Sequence, residues 1–417
     1  MKLFNKLIFL LYISIILNCS SGGSSPTEIE ANITSSPHYI EAYKSKTFNF
    51  VASAFAEDFS EITITFTLEN LPMNGQVVID GYQATYTPNA GYVGMDNFTV
   101  TASAGNSSIS IPVSVDVFDN PYKNDELLIK NSLELGFYGD KKNELKITVE
   151  YNGIEREFII IKPKLLSEFQ KNGHPAVIYF HGNGGSASSI YINSPSFINN
   201  AKELNFYYII PSGLQGVTGG GSDSEGSATG WNANFPGWNN EFNDVGFINA
   251  LINHLHDKYS ISHKNIYLIG FSSGAHFAYT LANRNILIDG FQVFGGWMNK
   301  YNDWEFNQSL KAQHYHGTKD HVDYYEQEQH FGGENSIKEI ATMKNCQSIN
   351  EIELDDANAN GLIDATLFDY KDCTDGSILQ HFRLNDEVHV GSASISRNDI
   401  SSFDEFFKFF ELGNPTY

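Results

Sequence analysis

The sequence predicts two domains of different class: an all-β sandwich, then an α/β domain whose mainly parallel sheet carries helices on both faces. Three observations carry this. Residues 31–118 hold short alternating strands with turn signals and no stretch of helical period. From about residue 145 onward, apolar strand runs alternate with amphipathic helical runs. Between the two, residues 118–125 contain Asp119-Asn120-Pro121, a combination that interrupts regular structure. A length of 417 residues is ordinary for two domains, and 41% hydrophobic with 14% aromatic content supplies two cores. The net charge of −23 argues against nucleic acid or an anionic membrane surface as a partner.

In chain order, residues 1–18 read as an export signal: Lys2 and Lys6 precede an apolar run, 7–17, too short to span a bilayer. The run ends at Leu17-Asn18-Cys19-Ser20-Ser21, which resembles a bacterial lipobox. The resemblance implies Cys19 as a lipidated first residue and residues 19–30 as a Ser/Gly-rich tether. An exported protein, lipid-anchored to the outer membrane or cell surface, is expected, with the anchor as its one membrane contact. The alternative is a simple signal peptide with an incidental cysteine. Of three cysteines, Cys346 and Cys373 then remain, and an oxidising compartment pairs them as a disulfide; two buried thiols are the alternative.

In the sandwich, residues 62–68 alternate with period two, residues 76–79 and 83–86 flank Asp80-Gly81 as a hairpin, and residues 96–101 and 108–117 supply further strands. Pro72, Asn74 and Gly75, followed by Tyr86-Thr87-Pro88-Asn89, Gly91-Tyr92, Gly94, Asp96 and Phe98, resemble the cadherin-like, immunoglobulin-like repeats of bacterial surface proteins. The resemblance implies a spacer or weak binding module with Tyr86 and Phe98 in its core.

In residues 125–417, strands 145–149 and 156–161 flank Tyr151-Asn152-Gly153, a hairpin forming an antiparallel edge. A strand at 176–180, a helix at 197–204, a strand at 206–210 and a helix at 242–259 follow. Further strands are expected at 266–269, 291–294, 312–316 and 379–384.

The strand 266–269 runs into Gly270-Phe271-Ser272-Ser273-Gly274 and then into apolar residues of helical spacing. Strand, sharp turn and helix place a serine hydroxyl at the tip of a strained elbow, so Ser272 is the candidate nucleophile. Such a serine needs a base, a carboxylate to orient the base, and two N–H donors for an oxyanion. Two carboxylates follow the strand 312–316: Asp320 is favoured, and Asp323 is its rival or a solvated turn residue. His389, in a loop after the strand 379–384, is the expected base. His381 within that strand, His316 at a strand end and His276 on the elbow helix read as structural. The oxyanion donors are the amides of Ser273 and of Asn183, the latter in His181-Gly182-Asn183-Gly184-Gly185.

The second half also resembles a known group: the secreted carbohydrate esterases that include feruloyl and acetyl-xylan esterases, with the related polyhydroxybutyrate depolymerases. The resemblance runs through Val177 to Gly182, Gly230-Trp231-Asn232, Asn243-Asp244-Val245-Gly246-Phe247, the serine elbow, His316-Gly317-Thr318 with Asp320, the cysteine pair and His389. It implies an α/β-hydrolase fold, Ser272, Asp320 and His389 as a triad, ester hydrolysis through an acyl-enzyme, and no cofactor for catalysis. Feruloyl or acetyl groups on plant polysaccharide are the leading substrates; polyester is the alternative. A non-catalytic surface binding protein is the third reading.

Residues 213–230 form a glycine- and serine-rich insertion, read with Trp231 and Trp238 as a lid or aromatic wall for substrate, or as a surface loop. Asp356, Asn358, Asn360, Leu362 and Asp364 repeat at every second position with Gly361 at the sixth, as in the first part of a calcium loop. A structural calcium there is the expectation and a plain turn the alternative.

Overall fold

The computed structural model describes residues 31–413 except 36, 51, 56–61, 139–141, 165–172, 218–227, 235–240, 284, 286, 301, 324–330, 355–363, 390–395 and 398–399. The signal, Cys19 and the tether lie outside the described residues, as do Trp238, Asp356, Asn358, Asn360 and Leu362.

Among the described residues the N-terminal part is a sandwich of two main sheets, with a separate two-stranded ladder of Asn32–Ser35 and Ala52–Phe55. One orders the strands His38–Ala42, Ser107–Val117, Gly94–Ala104 and Thr65–Asn70; the other orders Lys46–Asn49, Gln83–Pro88 and Gly75–Asp80. Alternate residues of both point inward, and Phe50, Tyr86, Phe98, Val100, Val113 and Val115 fill the space between. The hairpin turns at Gly81, whose φ of +60° needs no Cβ.

The second part is built on eleven strands: β1 (Leu128–Glu134), β2 (Glu144–Tyr151), β3 (Ile154–Ile161), β4 (His174–Phe180), β5 (Tyr207–Pro211), β6 (Ile261–Phe271), β7 (Gly290–Phe294), β8 (Lys311–Gly317), β9 (Ser348–Leu354), β10 (Ala365–Lys371) and β11 (Ile378–Leu384). Their order across the sheet is β1-β2-β3-β5-β4-β6-β7-β8-β11-β10-β9, with the centre from β5 to β11 parallel. The β2–β3 turn is Asn152-Gly153, both at positive φ, the backbone that matches the twist of two antiparallel strands. Two edges depart from expectation. A third antiparallel strand, β1, joins the opening pair, and the hairpin β9–β10 extends the far edge. Cys346 and Cys373 are disulfide-bonded at the base of that hairpin.

Helices α1 (Ala187–Asn193), α2 (Pro195–Glu203) and α6 (Ser402–Phe409) cover one face; α3 (Asp244–Tyr259), α4 (Ser273–Ala282) and α5 (Gly332–Met343) cover the other. Parallel strands are buried on both faces, so β4 sends Ala176, Ile178 and Phe180 to one core and Val177 and Tyr179 to the other. This sheet brings the C-terminal ends of β4, β6 and β8, and the loops after them, to one edge.

Candidate active site

Ser272 stands between β6 and α4 with φ 54° and ψ −119°, a conformation that a residue with a Cβ holds only when its surroundings impose it. Its N–H is bonded to the Phe294 carbonyl at 2.9 Å, which ties the elbow to β7. The flanking glycines are demanded by close approach. A Cβ on Gly270 would sit 2.4 Å from the Gly274 carbonyl oxygen, and one on Gly274 would sit 2.2 Å from the Phe180 carbonyl oxygen. The helix therefore starts hard against the end of β4.

That packing puts the loop after β4 beside Ser272: a Cβ on Gly182 would lie 3.3 Å from Ser272 Cβ. His181 anchors the loop. Its Nε2 accepts the Gly213 N–H at 2.9 Å and its Nδ1 donates to the Gly182 carbonyl at 2.8 Å. Burial pushes its pKa down to about 4, so it stays neutral and keeps this tautomer. Asn183 lies exposed in this loop, and Ser273 is buried as the first residue of α4.

Trp231 is corrected by the structure. It is a core residue, fully buried, not a wall for substrate. Its ring stacks on Phe277 at 5.2 Å, and its Nε1–H donates to the His181 carbonyl at 3.0 Å. A buried indole needs such a partner, and here the partner is the glycine loop itself. The neighbouring motif residues are structural too: Asp244 binds Arg156 at 2.6 Å and accepts the Asn232 N–H at 2.7 Å, while Asn243 caps α3 on the Gly246 N–H. Of the sequence-proposed calcium ligands only Asp364 is described, just ahead of β10.

Asp320 and His389 come together. His389 Nδ1 lies 2.7 Å from Asp320 Oδ2, and both follow adjacent strands, β8 and β11. Asp320 also receives His316 Nε2 at 3.2 Å, and its other oxygen accepts the N–H groups of Val322 and Asp323 at 2.9 Å each. Burial opposes ionisation of Asp320, but hydrogen bonds from His316 and His389 outweigh it and hold the carboxyl well below its usual range. For His389 burial opposes protonation; the hydrogen bond to Asp320 and the charges of Asp323 and Asp320 outweigh that and raise its pKa.

The rival carboxylate is not a solvated turn residue. Asp323 Oδ2 accepts from Ser272 Oγ at 3.5 Å and lies 4.0 Å from His389 Nε2, while Oδ1 meets His276 Nε2 at 3.2 Å. Asp323 and His276 thus meet beside Ser272 and His316 meets Asp320, where the sequence offers Asp323 as the rival acid and the two histidines as structural. One signal was available: Asp323 follows Asp320 by three residues in one turn, where the Asp320 side chain accepts the Asp323 N–H at 2.9 Å.

Two family models match parts of this chain. Residues 30–117 match the family described as Bacterial Ig domain, and residues 165–331 match the one described as Phospholipase/Carboxylesterase. A curated relative, the bifunctional acetylxylan esterase/xylanase XynS20E of Neocallimastix patriciarum, is 26% identical over 176 residues, 41% of this chain and 24% of that protein. The chain thus spans about a quarter of the length of that relative. Among solved structures it is similar to an S-formylglutathione hydrolase from Agrobacterium tumefaciens, with TM-score 0.41 and 12% identity, over 69% of this chain and 100% of that one. It is also similar to a thermostable esterase, with TM-score 0.33 and 10% identity, over 74% of this chain and 88% of that one. Residues 30–117 are therefore similar to a bacterial immunoglobulin-like domain, and residues 165–331 to the phospholipase and carboxylesterase domains.

Proposed function

We propose that the chain is a serine esterase that hydrolyses carboxylic esters, with Ser272 as nucleophile, His389 as base and Asp320 as the carboxylate that orients it. The observation that carries this reading is the strained Ser272 elbow on the same sheet edge as the short Asp320–His389 pair. A turn of the Ser272 hydroxyl from Asp323 toward His389 Nε2 starts the cycle. Nε2 takes the proton, Oγ bonds to the ester carbon, and the carbonyl electrons move onto oxygen, facing the amides of Ser273 and Asn183. The bond to the alcohol then breaks as Nε2 returns the proton to the leaving oxygen. Water repeats the sequence on the acyl-serine and frees the acid. Every step uses side chains and amides of this chain.

Acetyl or feruloyl groups on plant polysaccharide are the proposed substrates, supported by the similarity to a protein named for acetylxylan esterase activity. A lipid-anchored, exported location is supported by the bacterial Ig match and the N-terminal motif; among the described residues no helix is long and apolar enough to cross a membrane. A structural calcium at 356–364 is proposed on residue pattern alone, and an unchanged melting temperature in chelator would remove it. The decisive test of the activity is hydrolysis of p-nitrophenyl acetate by wild type and Ser272→Ala, with a fluorophosphonate probe. Turnover and labelling are expected for wild type and lost in the variant; a wild type inert to both defeats the reading. Methyl ferulate, acetylated xylan and hydroxybutyrate oligomers then separate the substrate classes.

A further inference from the structure

We propose that Asp323 determines specificity on the alcohol side of the scissile ester, accepting a hydrogen bond from a hydroxyl on the carbon next to the one that bears the ester oxygen. This rests on the serine-esterase reading above and adds the residue that reads the alcohol: a vicinal hydroxyl, as on a polyol or sugar ring, is what separates it from a simple alkyl alcohol.

The position of the carboxylate sets which part of a substrate it meets. When the alcohol departs, its oxygen takes the proton from His389 Nε2, so it must come within about 3 Å of that atom. Asp323 Oδ2 is 4.0 Å from Nε2 and 3.5 Å from Ser272 Oγ. It therefore borders the departing alcohol. The carbonyl oxygen is turned instead toward the amides of Ser273 and Asn183.

The carboxylate is also held in place. The Asp323 N–H donates to Asp320 Oδ1 at 2.9 Å, its carbonyl accepts from His316 Nε2 at 2.6 Å, and Oδ1 is taken by His276 Nε2 at 3.2 Å. His276 is in turn engaged at Nδ1 by the backbone of Trp297. Oδ2 is the oxygen left with accepting capacity. Its contacts to Ser272 and His389 are long, whereas donors to a carboxylate ordinarily approach to about 2.7–2.9 Å. The side chain is only 13% exposed, and a charge so placed gains from a short donor that a substrate can bring. A vicinal hydroxyl of a sugar ring or of glycerol reaches it while the ester oxygen faces Nε2. A plain alkyl alcohol leaves Oδ2 unfilled, and a carboxylate-bearing alcohol meets like charge.

The test compares kcat/KM for glycerol monoacetate and n-propyl acetate, with p-nitrophenyl acetate alongside, for the full chain as wild type, Asp323→Asn and Asp323→Ala. Wild type is expected to favour the glycerol ester by about 10-fold or more, the scale of one hydrogen bond to a charged group. Asp323→Ala should bring the ratio close to one, and Asp323→Asn, which keeps an acceptor oxygen, should retain part of it. Misfolding lowers both rates and leaves their ratio intact, so a structural role for Asp323 does not mimic the result. A wild-type ratio near one, or a ratio unchanged in Asp323→Ala, overturns the proposal while the esterase reading stands. A wild type that hydrolyses none of the three esters overturns both.

Discussion

Asp320→Asn tests which carboxylate orients the base. Asp320 Oδ1 accepts two backbone N–H groups at 2.9 Å, and Oδ2 meets His389 Nδ1 at 2.7 Å and His316 Nε2 at 3.2 Å. An asparagine must keep its oxygen on the two backbone donors, because the reverse places its NH₂ against them. Its NH₂ then faces His389 Nδ1, which is forced to accept, and the ring proton moves to Nε2. A base protonated at Nε2 cannot take the Ser272 proton. The expected loss in kcat is about 10⁴-fold, the scale seen when a triad histidine is locked in the wrong tautomer. The turn keeps its backbone contacts, so the exchange of one charged for one neutral acceptor costs about 1–3 kcal/mol of stability. The assay is p-nitrophenyl acetate hydrolysis near neutral pH together with a thermal melt. A variant that retains more than about a tenth of wild-type kcat refutes the assignment. A larger kcat loss in Asp323→Asn than in Asp320→Asn would show that the two carboxylates have exchanged roles.

In the proposed mechanism His389 must be neutral to act, and its pKa is held above its ordinary 6.5 by Asp320 and Asp323. Activity should therefore rise with pH through a midpoint above 6.5, and Asp323→Asn should move that limb to lower pH; kcat/KM profiles check both. Asp244→Ala strands the Arg156 guanidinium, whose side chain is 2% exposed, and should cost about 3–5 kcal/mol in denaturant unfolding. Replacing Arg156 and Asp244 together by Met and Leu should cost less, because no lone charge is left behind. Reducing the Cys346–Cys373 bond, whose cysteines are 27 residues apart, should lower stability by about 3–4 kcal/mol through the freed chain, read as a fall in melting temperature with reductant.

The parts of this molecule that were legible in the sequence are those fixed by local pattern. The apolar run into Gly-x-Ser-x-Gly specifies β6, the elbow and α4, because burial on both faces and a tight strand–helix approach leave few alternatives. The Asn152-Gly153 turn is equally local, since both residues take positive φ. What escaped depends on contacts distant in sequence. Strand β1 is exposed along its whole length and carries no clean alternation, so the ladder with β2 is what makes it a strand. Helix α1 is rich in serine and held by a capping box, Ser186 with Ser189, more than by an apolar stripe. Trp231 looks like a substrate platform because it follows a glycine-rich stretch; only packing on Phe277 reveals it as core. Asp323 reads as a rival acid or a turn residue, and the contact that holds its carboxylate, His276 Nε2 on Oδ1, is distant in sequence.

The sandwich is docked far from this chemistry, and the reason lies in β6. Glu41 accepts from Ser262 Oγ at 3.1 Å, from the His263 N–H at 3.0 Å and meets His263 Nδ1 at 2.7 Å, all at the start of that strand. Lys46 donates to the His256 carbonyl at 2.9 Å, and the Phe118 ring lies on the His263 ring with centroids 3.4 Å apart. Asn120 of the connecting segment donates to Asn253 of α3 at 2.8 Å. Burial opposes ionisation of Glu41, but its bonds to His263 outweigh that and lower its pKa, so the charge persists in the joint. The hydrogen bonds among these contacts are buried and directional, which favours one fixed orientation over a loose linker. Strand β6 runs eleven residues from this joint to Ser272, about 33 Å at an ordinary strand rise. The sandwich therefore grips the end of the nucleophile strand that points away from the site, too far to touch a substrate there. The joint therefore lies at the opposite end of β6 from Ser272.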